Sequence, residues 1–318
     1  PAMVRSAAKN FEKVTVITDI SYYQEFIEEI NKNNGATSLN FREKMASEAF
    51  MRTADYDASV SSFFNKKRKK KFPQKIVVSA YLQEKLRYGE NPHQDAAVYN
   101  MGDEIEISKI SGKELSYNNY NDIYAALDLS LSLPKNKGTV IVKHGNPCGV
   151  SINNDCNKSY EEAFGCDPVS AFGGIVSLNF KLNTNLAIKL SKVFFEVIIA
   201  KGFSESALKI LKKKKNLRIL SSNNIENNDN NEITSNFNSL LLQSKDNLKI
   251  DKKNFQVVSK IKPSKKTMES LIFAFNVCRN VKSNAIVLAN NFKTVGIGSG
   301  QPSRLDSCKI AIEKMRKF

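Results

Sequence analysis

The sequence predicts an α/β protein whose main body is a layered sheet with helices on both faces. Two observations carry that reading. Short β-branched runs, such as 139–142, recur between segments whose apolar residues fall at helical spacing. The alternation runs from about residue 76 to residue 211, the pattern of layered α/β domains. A third observation sets this body apart. The basic run Asn-Lys-Lys-Arg-Lys-Lys-Lys-Phe-Pro at 65–73 separates it from an N-terminal piece that carries one strand and two helices, too little for a self-sufficient domain.

In chain order, residues 1–10 read as the middle of a helix or loop, and 14–18 as a strand. Asp19 or Ser21 can cap a helix over 22–31, which Gly35 ends. A longer helix follows over 39–64, with Phe41, Met45, Ala49 and Phe50 at helical spacing. The run at 65–73 then favours a solvated linker over a nuclear signal or nucleic-acid patch. Beyond it come strands at 76–80 and 96–99, a helix at 119–133 and a strand delivering Lys143 and His144 into a turn. A short helix at 159–164, a strand at 174–178, a helix at 183–195, a strand at 197–200 and a helix at 204–211 complete the body. The Asn- and Ser-rich stretch 221–233 has little to bury and is expected as a disordered surface excursion. A second unit is expected from about residue 255, with a helix at 265–277, strands at 285–290 and 294–298, and a last helix from Ser303.

At 318 residues the chain can hold two cores. No run reaches the length of a membrane span and no signal-peptide pattern opens the chain, so a cytoplasmic protein is expected. Five cysteines without a CxxC pair argue against a disulfide framework or a thiolate zinc site, and no metal is expected. A net charge of +16 raises nucleic-acid binding as a possibility. The excess is dispersed lysine with no aromatic residues interleaved, which argues against a stacking platform and suits small anionic ligands instead.

Four loops could carry chemistry. The first, at 86–94, offers Arg87 for bidentate anion contact and Tyr88, on a backbone bent by Gly89 and Pro92. The second presents Lys143 and His144, the latter one of two histidines, beside Gly145, Asn146 and Pro147. From that stretch alone, a structural Lys-His pair and a catalytic one weigh about equally. The third, at 167–174, ends in paired glycines that permit close backbone approach to a flat ligand. The fourth joins 280–284 to 296–304; its glycines lack the spacing of a dinucleotide fingerprint. Together the loops supply a base, a lysine, arginines and amides, and no obvious activated Ser or Cys nucleophile. That inventory suits proton abstraction and oxyanion stabilisation on a phosphorylated substrate.

The motifs Arg-Tyr-Gly-Glu-Asn-Pro-His-Gln, Lys-His-Gly-Asn-Pro-Cys-Gly, Ser-Ala-Phe-Gly-Gly and Gly-Ser-Gly-Gln-Pro-Ser-Arg stand here in a single order. In that order the chain resembles the bifunctional purine-biosynthesis family, in which AICAR transformylase is joined to IMP cyclohydrolase; Arg-Ser-Ala-Ala-Lys-Asn at 5–10 looks like the late part of the cyclohydrolase. The resemblance covers essentially the whole chain. It implies a cyclohydrolase tail at 1–64, a basic linker at 65–75, a first transformylase unit at 76–254 and a partial second unit at 255–318, the transformylase units being cytidine-deaminase-like α/β/α layers without zinc. It implies transfer of a formyl group from 10-formyltetrahydrofolate, a cosubstrate rather than a tightly bound cofactor, to the 5-amino group of AICAR. By resemblance His144 is the base and Lys143 stabilises the oxyanion. Arg87, Tyr88, Lys215 and Arg304 hold AICAR, while Asn119, Gly173, Glu196, Asn284 and Leu305 line the folate or substrate pocket. Lys9 matches the cyclohydrolase lysine of ring closure.

A homodimer is implied too. The family's early cyclohydrolase portion, its Ser-Asp-Ala-Phe-Phe-Pro-Phe segment and its Arg-His-rich end do not occur here, and Lys201 stands where proline is usual. The expectation is a piece truncated at both ends, with its cyclohydrolase tail inactive alone. An inactive fragment and a basic nucleic-acid-binding or interaction protein are the alternatives.

Overall fold

The computed structural model describes residues 1–102, 107–222, 231–248, 250, 253 and 255–318. The chain divides into two compact units, Pro1–Gln83 with Tyr99–Asp103, and Glu84–Val98 with Glu104–Phe318.

In the first unit, α1 (Ala2–Lys9) packs on α3 (Leu39–Lys67), and Ala8, Ala46 and Ala49 form a small core with Val4, Phe11 and Val16 against it. A 3-10 turn (Ile20–Tyr22), capped by Asp19, leads into α2 (Tyr23–Lys32). Along α3 the series Phe41, Met45, Ala49 and Thr53 is buried at a spacing of four, whereas Phe50 is exposed. Two sequence expectations fail here. Residues 14–18 form no strand; Thr15 and Thr37 share a hydroxyl hydrogen bond of 2.7 Å instead. Residues 76–80 are likewise unpaired, and the strand begins five residues later as β1 (Tyr81–Leu86). Apolar, β-branched composition makes a strand only where a second backbone is alongside. The expected linker at 65–75 also starts inside a helix, because α3 runs on to Lys67.

The second unit is built on an eight-stranded mixed sheet. Its strands are β3 (Ser108–Ser111), β4 (Gly138–Lys143), β5 (Asn146–Ile152), β6 (Ile175–Leu182), β7 (Val197–Phe203), β8 (Arg218–Ser221), β11 (Ile286–Asn290) and β12 (Lys293–Gly298), while β1 and β2 (Ala96–Asn100) make a separate two-stranded sheet. The order across the sheet is β11-β12-β5-β4-β6-β7-β8-β3. On one face α4 (Tyr117–Ser132) and α9 (Lys265–Cys278) cover Val140, Val142, Val150, Ile175, Val197, Ile199 and Ile297. On the other, α5 (Cys156–Phe164), α7 (Thr184–Ser191) and α8 (Glu205–Leu211) cover Ile141, Val176, Leu178, Ile198 and Ile219. The odd-even alternation along β4 and β7 is the two-residue period of a strand buried on both faces. A one-turn helix, α6 (Pro168–Ala171), precedes β6, and α10 (Arg304–Lys317) lies on β12.

Residues 255–318, expected to open a second unit, place β11 and β12 in the same sheet as β4 through the pairing of β12 with β5. The expected excursion at 221–233 falls largely on residues 223–230, which lie outside the described residues. At its margins Ser221 belongs to β8, and residues 231–233 open β9 (Asn231–Asn236), which is not disordered but pairs antiparallel with β10 (Ser239–Ser244). Backbone pairing across a tight turn needs no burial, so low apolar content did not reveal it.

Candidate functional site

The register sets one end of the sheet. Val142 lies opposite Ile175, Ile175 opposite Val197, and Val197 opposite Arg218. One residue beyond that row on successive strands stand Lys143, Gly174, Glu196 and Leu217. β5 starts at this end with Asn146, and β11 starts and β12 finishes here, because Ile286 pairs with Gly298. The loops at this end therefore carry Lys143, His144, Gly173, Glu196, Lys215, Asn284, Arg304 and Leu305. Loops at a strand-terminal edge can aim backbone and side-chain groups at a ligand while the sheet fixes their spacing.

At the centre is the β4–β5 hairpin. The sequence expects Lys143 and His144 to enter a turn rich in Gly, Asn and Pro, but the turn is only His144 and Gly145, and β5 begins at Asn146. Lys143 pairs with Asn146, and both turn residues have positive φ, 54° and 69°. That is the signature of a type I′ hairpin, with His144 at its exposed tip. Lys143 is half-buried, and its ammonium donates to the Phe172 carbonyl at 2.8 Å. Phe172 ends α6, which Asp167 caps through Ser170 N at 2.9 Å. Gly173 follows with φ 74°, its amide donating to Phe194 O at 2.8 Å. A Cβ there would lie 3.9 Å from Lys143 Nζ, so Lys143 and Gly173 are immediate neighbours.

A second group gathers at the β7–β8 side. Asn119 is buried at the start of α4, where it completes a capping box: Ser116 Oγ accepts from Asn119 N, and Asn119 Oδ1 accepts from Ser116 N, both at 3.1 Å. The carboxamide orientation is thereby set, and Asn119 Nδ2 donates to Glu196 Oε2 at 2.8 Å. The same carboxylate oxygen is 3.7 Å from the Arg218 guanidinium, which also donates from Nε to Glu114 O at 2.9 Å. Burial pulls the Arg218 pKa down, Glu196 pulls it back up, and Arg87 acts with burial as a nearby like charge. Arg87 and Tyr88 thus belong to this group, with the guanidinium 5.4 Å from the Tyr88 ring centroid. Asn118 Nδ2 reaches Glu90 O at 3.4 Å, tying the loop after β1 to α4.

A third group closes the far side. Asn284 donates through Nδ2 to Gln301 O (2.9 Å) and Pro302 O (2.8 Å), and its carbonyl accepts from Ser307 Oγ at 2.8 Å. These bonds hold the start of β11 against the start of α10, where Arg304 and Leu305 are exposed. Lys282, in the same loop, stands 3.3 Å from where a Cβ on Gly145 would be. Lys215 is exposed in the turn before β8. Lys9 is elsewhere, exposed in the last turn of α1 in the first unit.

Sequence reasoning missed Arg218 and Lys282. Arg218 had a readable signal, a lone arginine inside the apolar run Leu217-Arg-Ile-Leu220; Lys282, one lysine among many, had none. A separate cavity of about 800 Å³ runs along α4 and α9 toward the opposite end of the sheet, where Pro134, Ile152 and Phe292 line it. It contains none of the predicted site residues, and its cations are paired, Lys245 with Asp128 and Arg279 with Asp246. Among the described residues no group of three or more His, Cys, Asp or Glu is placed to hold a metal ion.

One end of this mixed α/β sheet thus gathers a histidine, lysines and arginines, side chains able to accept a proton and to meet negative charge. A family model described as "AICARFT/IMPCHase bienzyme" matches residues 7–314. The chain belongs to that family. Three proteins each called "Bifunctional purine biosynthesis protein PurH" are similar to it. That of Bradyrhizobium diazoefficiens is 42% identical over 99% of this chain and 61% of its own length. That of Lactobacillus delbrueckii subsp. bulgaricus is 41% identical over 98% and 62%, and that of a Chelativorans species 43% over 99% and 60%. The chain thus spans about three-fifths of the length of the relatives it matches.

Proposed function

We propose that this chain carries the AICAR transformylase site, moving a formyl group from 10-formyltetrahydrofolate to the 5-amino group of AICAR in purine biosynthesis. The observation that carries the reading is the assembly of the matched side chains at one end of a single sheet, around the Lys143–His144 hairpin. The amine of AICAR attacks the formyl carbon, forming a C–N bond, and His144 takes the amine proton. Imidazoles accept protons near neutral pH, which suits this task. The negative charge that develops on the formyl oxygen is met by Lys143, whose ammonium is already fixed by the Phe172 carbonyl. Collapse of the adduct breaks the bond to the folate nitrogen, which leaves carrying the proton that His144 took from the amine.

Arg87, Tyr88, Lys215 and Arg304 supply the anion contacts for AICAR; Asn119, Glu196, Gly173, Asn284 and Leu305 line the pocket. No metal enters this chemistry, and folate is a cosubstrate. The second unit is read as a cytidine-deaminase-like transformylase layer, with residues 255–318 as the opening of a further such layer. The first unit, carrying Lys9, is read as the end of a cyclohydrolase domain. A cytoplasmic homodimer completes the proposal. No helix among the described residues is long and apolar enough to cross a membrane. The family match favours this reading over a basic nucleic-acid-binding or interaction protein.

The test is direct. Purified protein supplied with AICAR and 10-formyltetrahydrofolate should release tetrahydrofolate, and His144→Ala should lower that rate about 10²-fold or more, the usual scale for a general base. Absence of turnover in the unmutated chain, or an unchanged rate in the mutant, would refute the assignment of the activity or of the base respectively.

A further inference from the structure

We infer that Asp122 is a positioning residue for His144: its carboxylate fixes the tip of the β4–β5 hairpin and so aims the imidazole. The inference rests on the transformylase reading above and adds to it a residue that no motif of the sequence singles out.

The hairpin tip is a place where a catalytic side chain should be poorly held. His144 is exposed, and its left-handed backbone costs a residue with a Cβ roughly 1 kcal/mol relative to glycine. A two-residue turn uses its flanking residues, here Lys143 and Asn146, for the last cross-strand pair, so the amides of His144 and Gly145 point away from the ladder. Both find the same partner. His144 N donates to Asp122 Oδ2 at 3.2 Å, and Gly145 N donates to Asp122 Oδ1 at 2.5 Å. One carboxylate therefore grips both residues of the turn, a charge-assisted arrangement stronger than two neutral bonds.

Asp122 itself is well anchored. It lies on α4 immediately before the fully buried Ile123, six residues after the Ser116 cap, on a helix whose Ala126, Leu127 and Leu129 are in the core. The turn is thus referenced to the rigid body of the fold. Two cations share the surroundings, Lys143 before the turn and Lys282 beside Gly145, and Asn146 Nδ2 returns to His144 O at 3.2 Å. Because the grip is made near the surface, losing it exposes two amides to water and leaves no buried group unsatisfied. Its loss should loosen the tip without unfolding the protein.

The experiment combines kinetics with spectroscopy on the whole chain. Asp122→Ala should lower kcat for formyl transfer about tenfold while leaving the KM for AICAR within about twofold, since misplacing a reacting group by a fraction of an ångström has effects of this order. Asp122→Asn, which keeps one acceptor, should recover part of the loss. In a His144→Ala background the Asp122→Ala change should have no further effect, because the two act through one another. The chain has two histidines, His93 and His144, so their ring-proton resonances can be assigned by the His144→Ala spectrum. Asp122→Ala should broaden or shift the His144 resonances and leave those of His93 in place. Equal rate losses in both backgrounds, or unmoved His144 resonances, would overturn the proposal. If the unmutated chain makes no formyl-AICAR, the functional reading fails on its own, and the histidine resonances still decide whether Asp122 fixes the tip.

Discussion

At the scale of single residues, environment separates side chains that share a chemistry. Burial pushes the Cys148 thiol up to about 12, with the charge of Asp167 adding to it, and burial pushes Cys166 up to about 11. Both are therefore protonated, inert core residues in a chain whose five cysteines form no disulfide. We expect Cys148 and Cys166 to resist a thiol reagent at pH 8 in the native protein and to react once urea is added, as time-resolved labelling followed by mass spectrometry would show. Arg218 illustrates the opposite case, a buried cation kept by specific partners, the Glu196 carboxylate and the Glu114 carbonyl. Asn119 and Glu196 were expected at the pocket from the family resemblance alone. Their mutual hydrogen bond was not legible, since 77 positions separate them.

At the scale of elements, helices were read well because their signals are local. The expected boundaries of α2, α4, α9 and α10 are met within two residues, and Ser116, Ser264 and Ser303 cap the last three. Strands fared less evenly: β3, β5, β8 and the β9–β10 hairpin were missed, and two expected strands proved unpaired. The glycines of β12 show what local reading cannot supply. Gly296 and Gly298 lie in the strand expected at 294–298, but nothing local shows that a Cβ on Gly298 would come within 1.9 Å of Ser307 O in α10. The helix rests directly on the strand backbone at that point. Gly298→Ala should push α10 away and lower stability by about 1–3 kcal/mol or more, the cost of overpacking, measured as a shifted urea midpoint. A midpoint unchanged from the parent chain would contradict the close packing.

At the scale of the whole molecule, charge and topology set the behaviour. The net charge of +16 is dispersed along the chain, and among the described residues one ion pair stands out for its buried carboxylate. Lys314 on α10 meets Asp167, which is 3% exposed, at 2.7 Å. Burial pushes the Asp167 carboxyl up, but the Lys314 ammonium and the Ser170 amide outweigh it and hold the pKa below the ordinary value. A carboxylate with a lowered folded pKa contributes stability that is complete above its unfolded value and lost as pH falls through the folded one. We expect the urea midpoint to drop as pH is taken below about 4. Lys314→Met should cost about 3 kcal/mol at pH 7, where it strands a buried charge, and less at acid pH, where Asp167 is protonated. An equal cost at both pH values would show that the pair contributes nothing.

By itself, the sequence determined the alternating α/β plan, the helices, the motif loops and the inventory of base, lysine and arginines, because each is written in neighbouring residues. Only the tertiary structure decided that β11 and β12 belong to the sheet of β4, that the matched loops converge on one end of that sheet, and that His144 sits at a two-residue turn gripped by Asp122. Those facts depend on which backbones lie side by side. Pairing between distant strands is set by the fit of whole faces in the core, and no stretch of the chain carries that information alone.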